Sequence, residues 1–259
     1  MIQDVLAIAS GSIVGFVLGL IGGGGSILAV PLLVYVVGVK SPHVAIGTGA
    51  VAVGLSALSS LVGHVRLGNV RWPCALLYAG TGIVGATIGT TLGKRFDGQR
   101  LLFLFGVLMI IVAASMLRKR VQTGSGYVPL SADTAAVLAP RLAGYGFGTG
   151  LLSGFFCIGG GFLVVPGLIA AADLPTLAAI GSSLVSVTAF GLTTAVTYAA
   201  SGLVDWWLVL MFVIGGLAGS FFGGQLSTRL APQKKLLSQV FAGIVAIVGI
   251  YVVARGLFA

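Results

Sequence analysis

Three windows of this chain, residues 43–63, 73–93 and 101–117, contain no Asp, Glu, Lys or Arg at all. A helix needs about 20 apolar residues to cross the ~30 Å hydrocarbon core of a bilayer. Backbone N–H and C=O groups find no water there, so a spanning chain is confined to helices or a closed barrel. The ten-residue alternating segments of a barrel are absent from the sequence. Charged residues make up 7% of the chain, against about 25% in a soluble domain, and the mean hydropathy is +1.14. The fold class expected is an all-α polytopic membrane protein. The opening "MIQDVLAIASGS" has no basic n-region, and its apolar run continues past any small-residue cleavage site. It reads as the first membrane segment and not as a removed signal.

The charge that remains is one-sided: fourteen Lys and Arg against five Asp and no Glu, a net +9. The basic residues sit in short loops, where they set topology and meet anionic headgroups. That placement makes the lipid bilayer the partner and excludes nucleic acid. Cys74 and Cys157 lie in apolar segments without metal-ligand spacing, so neither a metal nor another cofactor is expected.

The chain repeats itself. "GLIGGGGSILAVPLL" (19–33) returns as "GFFCIGGGFLVVPGL" (154–168), and "SPHVAIGTG" (41–49) as "LPTLAAIGSS" (174–183). "LGNVRW" (67–72) returns as "SGLVDW" (201–206), the glycines of 80–96 are matched in 215–230, and "GQRLL" (98–102) answers "PQKKLL" (232–237). The offset holds at 133 to 135 residues throughout, which marks a duplication. Residues 1–117 form a first transmembrane repeat and 136–259 a second. The polar stretch 118–135 between them reads as the linker.

Four consecutive glycines and a proline inside an apolar run do not make a regular helix, since each mid-helix Gly costs about 1 kcal/mol and a Pro about 3. If each glycine-broken segment crosses once, the repeats are parallel and the fourteen Lys and Arg split evenly. If instead the segment folds back as a hairpin or re-entrant pair, the repeats are inverted. With both termini outside, nine basic residues are then cytoplasmic and five, including Lys94, Arg95 and Arg100, outside. The positive-inside rule favours the inverted arrangement. Non-helical backbone at membrane depth survives only when buried in protein or lining a wet cavity. Inverted repeats with broken helices near the midplane point to a transporter's binding site. Half-helices starting near Ser26 and Phe162 would aim unpaired N–H groups at that site, and such ends favour anions.

The candidate substrate-binding residues follow. Gly22, Gly23, Gly24 and Gly25 with Ser26, and Gly159, Gly160 and Gly161, form the two loops; the plain alternative is close helix packing. Thr48 and Ser182, with Ser183, hold matched positions and can donate to an oxyanion, or bond back to their own helix. His64, Arg66 and Cys157 are candidates for gating or a vestibule. Their plain readings are a topology anchor for Arg66 and a small packing residue for Cys157. Trp72, Trp206 and Trp207 fit an aromatic belt. Glycines three or four apart, as in 82–89 and 215–223, suit an internal interface as well as a homodimer contact.

With its twice-occurring glycine-rich run before Pro (22–31 and 157–166) and the Ile-Gly-Thr/Ser blocks after the next Pro (42–49 and 175–183), the sequence resembles the TauE/SafE family, the sulfite exporters. The resemblance covers nearly the whole chain outside the linker. It implies a secondary transporter, an exporter of a small sulfur-containing or organic anion such as sulfite or a sulfonate, in a bacterial inner membrane. Cys157 and Ile158 stand where the first half has Gly22 and Gly23, so the two loops differ in shape. An anion channel with the same midplane site is the alternative. A membrane enzyme is excluded on the residues themselves, because the apolar segments hold no nucleophile–base pair, metal cluster or paired carboxylates.

Overall fold

A computed structural model of the protein describes residues 2–21, 23–118, 132–156, 160–229 and 234–257. It is helical throughout, with no strand among the described residues. Gly22, Cys157, Gly159 and linker residues 119–131 lie outside the described residues.

The first half runs α1 (Ile2–Ile21), an irregular segment, α3 (Pro42–Arg66), α4 (Trp72–Gly93) and α5 (Gly98–Arg118). The irregular segment is a 3-10 helix over Gly23–Leu28, a single α turn α2 (Ala29–Pro31) and a π turn over Leu32–Val36. The second half runs α6 (Ala132–Phe156), α7 (Gly161–Ala172), α8 (Thr176–Ala199), α9 (Trp206–Arg229) and α10 (Lys234–Leu257). Six helices among the described residues are long and apolar enough to cross a membrane: α1, α3, α4, α5, α8 and α9. Shorter apolar helices cover Gly25–Val36 and Gly161–Ala172, about half a bilayer at 1.5 Å per residue.

Burial separates the helices into two classes. The apolar windows of α3 and α8 are 78% and 72% buried, whereas those of α1, α4, α5 and α9 are 39–44% buried. α3 and α8 are therefore the inner pair. The outer helices turn large apolar side chains outward, among them Val84, Ile88, Leu92, Leu210, Phe221 and Phe222. An apolar exterior of this extent suits hydrocarbon and not water.

Small residues let the outer helices dock backbone to backbone. A Cβ added at Gly11, Gly15 or Gly19 of α1 would overlap the backbone of Phe212, Gly216 or Ser220 of α9, so these two helices run parallel. Gly146, Gly150 and Gly154 of α6 meet the backbone of Tyr78, Gly82 and Ala86 of α4 in the same way. Each half thus lends its first helix to the other half. The glycines at 82–89 and 215–223 are used up inside the chain, against α6 and α1. The inner pair is antiparallel: Gly47 faces Tyr198 and Gly54 faces Gly191 and Leu192. α5 and α10 are antiparallel too, with Gly106 against Gly249 and Gly256 against Phe103.

Candidate functional site

The two glycine-rich segments meet inside this scaffold, the 3-10 helix Gly23–Leu28 packing against α7. Ile27 and Leu28 from the first share a buried cluster with Phe162 from the second and with Leu184 and Val187 of α8. The two segments reach this place by different backbones. Gly160 takes the left-handed conformation (φ 66°, ψ 1°) as the N-cap of a fresh helix. Its carbonyl then accepts from the N–H groups of Leu163 and Val164, at 2.8 and 3.0 Å. A helix starting near Phe162, as the sequence implies, is what α7 provides.

The first half departs from that expectation. No clean helix starts at Ser26; the chain coils tightly as 3-10 through the glycines and loosens into a π turn after Pro31. Proline supplies no N–H and crowds the preceding turn, and the wider turn closes with Val37 N–H donating to Leu32 O at 2.9 Å. Gly25 also takes part in close helix packing, the plain alternative for these glycines. A Cβ there would sit 2.5 Å from Val14 O and 2.6 Å from Leu18 N, so only glycine lets this turn lie on the α1 backbone. Ser26 is 1% exposed.

Thr48 and Ser182 occupy mirrored positions in space as in sequence. The Thr48 Oγ1 accepts from the N–H of Asp205 at 3.0 Å, just ahead of α9. The Ser182 Oγ accepts from the N–H of Arg71 at 2.9 Å, at the N-cap of α4. Each inner helix therefore latches the start of an outer helix through one hydroxyl acceptor, and both side chains are fully buried. Ser183 donates to Ile180 O of its own helix at 2.7 Å. Of the gating candidates, His64 is buried in the last turn of α3, while Arg66 is exposed at its end. At the opposite end of the inner pair, Lys94 donates to Thr197 O and to the Ser201 Oγ.

Residue-by-residue reading missed a further set of hydroxyls. Ser56, Ser60, Ser153, Ser186 and Thr188 are buried with no hydrogen-bond partner. Ser56 lies on Gly216 of α9, and Ser153 lies beside Gly160. The available signal was the imperfection of the repeat: Ser153 and Ser186 stand opposite Leu18 and Ala52 in the aligned first half.

Comparison with known proteins agrees with this architecture. The family described as "Sulfite exporter TauE/SafE" matches residues 7–252. A "Probable membrane transporter protein" of Xylella fastidiosa (strain Temecula1) is 49% identical over 253 residues, covering 97% of this chain and 95% of its own. The "Probable membrane transporter protein YunE" of Bacillus subtilis (strain 168) is 27% identical over 276 residues, covering 98% of each chain. The archaeal "Probable membrane transporter protein MJ0441" of Methanocaldococcus jannaschii is 25% identical over 260 residues, with 92% of each covered. No solved structure matches the chain significantly. Six membrane-length helices, a buried meeting of two broken segments and a family match over nearly the full length agree: this chain belongs to the sulfite exporter TauE/SafE family and is a multi-pass membrane transporter, not an enzyme.

Proposed function

We propose that the protein is a secondary transporter that exports a small sulfur-containing or organic anion, sulfite or a sulfonate, across the bacterial inner membrane. The observation that carries this reading is the contact of Gly23–Leu28 with the start of α7 among buried residues. Broken backbone at that depth leaves N–H groups with no helical acceptor. In an apolar surrounding such groups cost several kcal/mol each unless something accepts from them. An anion entering between the segments supplies the acceptors, and the positive end of a half-helix favours its charge.

The two repeats, divided at the linker, are inverted in this proposal. Its support is the antiparallel run of α3 against α8 and of α5 against α10, the helices that correspond across the repeat. Counting α2 and α7 with their flanking turns as return segments gives five passes per half and puts both termini on the same side, taken as the outside. The fourteen Lys and Arg then divide nine to the cytoplasm and five outside, the bias the positive-inside rule asks for. Rocking of one repeat against the other would expose the site to each side in turn.

The test is thermal stabilisation of the purified protein by methanesulfonate, sulfite, thiosulfate, sulfate, acetate and chloride at matched ionic strength. Counterflow of the stabilising anion in proteoliposomes follows. A ligand present at 100 times its dissociation constant adds about 2.7 kcal/mol to the folded state. Selective stabilisation with counterflow is the expected result. Conductive flux without counterflow would replace the carrier by a channel, and no response to any anion would overturn the reading.

A further inference from the structure

The two halves are unequal where they meet. Left-handed backbone positions come in aligned pairs, Gly38 with Asp173 and Gly68 with Gly202. Gly160 breaks the pattern among the described residues: its counterpart Gly25 does not adopt a positive φ. Only the second segment therefore stops and restarts as a helix of useful length, the 12-residue α7. The N–H groups of Gly161 and Phe162 in its first turn have no intrahelical acceptor.

Two hydroxyls flank that helix start. Ser153 of α6 is 1% exposed and its Oγ has no partner. It lies 2.8 Å from where a Cβ on Gly160 would be. Ser186 of α8 is fully buried, and its Oγ is also without a partner. Its depth follows from the tight turn Asp173–Pro175: α7 and α8 run back from it together, so the start of α7 is level with residue 187 or so of α8 at about 1.5 Å per residue. Its direction follows from its neighbours. Ala179, Ser186 and Phe190 fall on one stripe of α8 at helical spacing. Ala179 and Phe190 belong to the buried cluster that contains Val164 and Leu168 of α7. Phe190 Cδ2 also lies 3.4 Å from the Cβ position of Gly160.

We infer that the anion site is one-sided: the N-terminus of α7, the Ser153 Oγ–H and the Ser186 Oγ–H together bind a singly charged, acceptor-only oxyanion such as a sulfonate. This rests on the transporter reading above and names the donors within it. α4, α7 and α8 contain no Asp, Glu, Lys or Arg, and the nearest charge on α6 is Arg141, twelve residues from Ser153, or about 18 Å. With neutral donors only, the charge of the ligand is limited by desolvation. A Born cost grows as the square of the charge, so a dianion loses about four times what a monoanion of equal size loses. The Phe190 ring beside the donors offers an apolar wall for the carbon substituent of a sulfonate. The corresponding first-half positions, Leu18 and Ala52, offer no hydroxyl.

The experiment measures methanesulfonate and sulfate binding by thermal stabilisation, and methanesulfonate counterflow, for wild type, Ser153→Ala, Ser186→Ala and Thr193→Ala. Thr193 donates to Ala189 O of its own helix at 2.8 Å and serves as the control. Each serine variant is expected to raise the half-saturation concentration roughly ten- to a hundredfold, the worth of a hydroxyl donor to a charged group, with maximal flux little changed. Thr193→Ala is expected to keep the wild-type value, and methanesulfonate to bind more tightly than sulfate. Each serine is judged separately, so one variant failing to fold leaves the other decisive. Wild-type half-saturation in a folded serine variant, or tighter sulfate binding, overturns the one-sided site while the transporter reading stands. No binding or exchange of any anion by the wild type overturns both.

Discussion

Substituting Gly160 by Ala isolates a left-handed position that its first-half counterpart Gly25 does not share. Two costs combine. An L-residue held at φ 66° loses about 1–2 kcal/mol to the clash between its Cβ and backbone. The new methyl would also sit 2.7 Å from the Ser153 Cβ, well inside ordinary contact, and overpacking of this kind costs about 1–3 kcal/mol. Gly202 is the internal reference, with φ 69° and nothing within 4 Å of its Cβ position. Gly202→Ala should therefore lose about 1–2 kcal/mol and Gly160→Ala about 2–5 kcal/mol. At roughly 2–4 °C per kcal/mol for a chain of this size, the first variant melts about 2–8 °C below wild type and the second about 4–20 °C below. The assay is a melt of detergent-purified protein at one fixed heating rate, because unfolding of such proteins is commonly irreversible. Equal melting temperatures for the two variants would refute the overlap at Ser153, and with it the close approach of α6 to the start of α7.

Two further outcomes follow from the same geometry. Thr48→Ala and Ser182→Ala each strand a backbone N–H, of Asp205 and of Arg71, and each should cost about 1–3 kcal/mol of stability. Thr48→Ser should restore it; full stability in both alanine variants, with a raised half-saturation concentration for methanesulfonate, would make these hydroxyls ligands and not latches. In a background with Cys74 and Cys157 replaced by Ala, Leu67→Cys and Ser201→Cys occupy corresponding exposed positions. They should react with an impermeant thiol reagent from opposite faces of the membrane, and labelling from the same face would establish parallel repeats.

Much of the architecture was legible because a bilayer leaves the chain few options. The windows 43–63, 73–93 and 101–117 fall within α3, α4 and α5, since their apolar length and lack of charge admit only helices. Glycines three or four apart in 82–89 and 215–223 announced close helix contacts. The partners were not legible: that α9 docks on α1 and α6 on α4 depends on pairings more than 60 residues apart. A run of glycines also states that regular helix stops without stating what replaces it. "GGGSIL" (23–28) became 3-10 helix lying on α1, while "GGFL" (160–163) became a left-handed cap and a new helix.

The hydroxyls divide along the same line. Thr48 and Ser182 drew attention because the repeat keeps a hydroxyl at both positions, and the structure gives them one shared contact, accepting an N–H at the start of an outer helix. That contact holds the fold in both halves. Ser153 and Ser186 are invisible to that criterion because their counterparts are Leu18 and Ala52. Yet an unpartnered buried hydroxyl costs about 1–3 kcal/mol, and the aligned positions of the first half carry apolar residues. A substrate is a single object that need not share the symmetry of its carrier. The departures from repetition that carry an energetic cost, Gly160 in backbone with Ser153 and Ser186 in sequence, are therefore where the ligand should be sought.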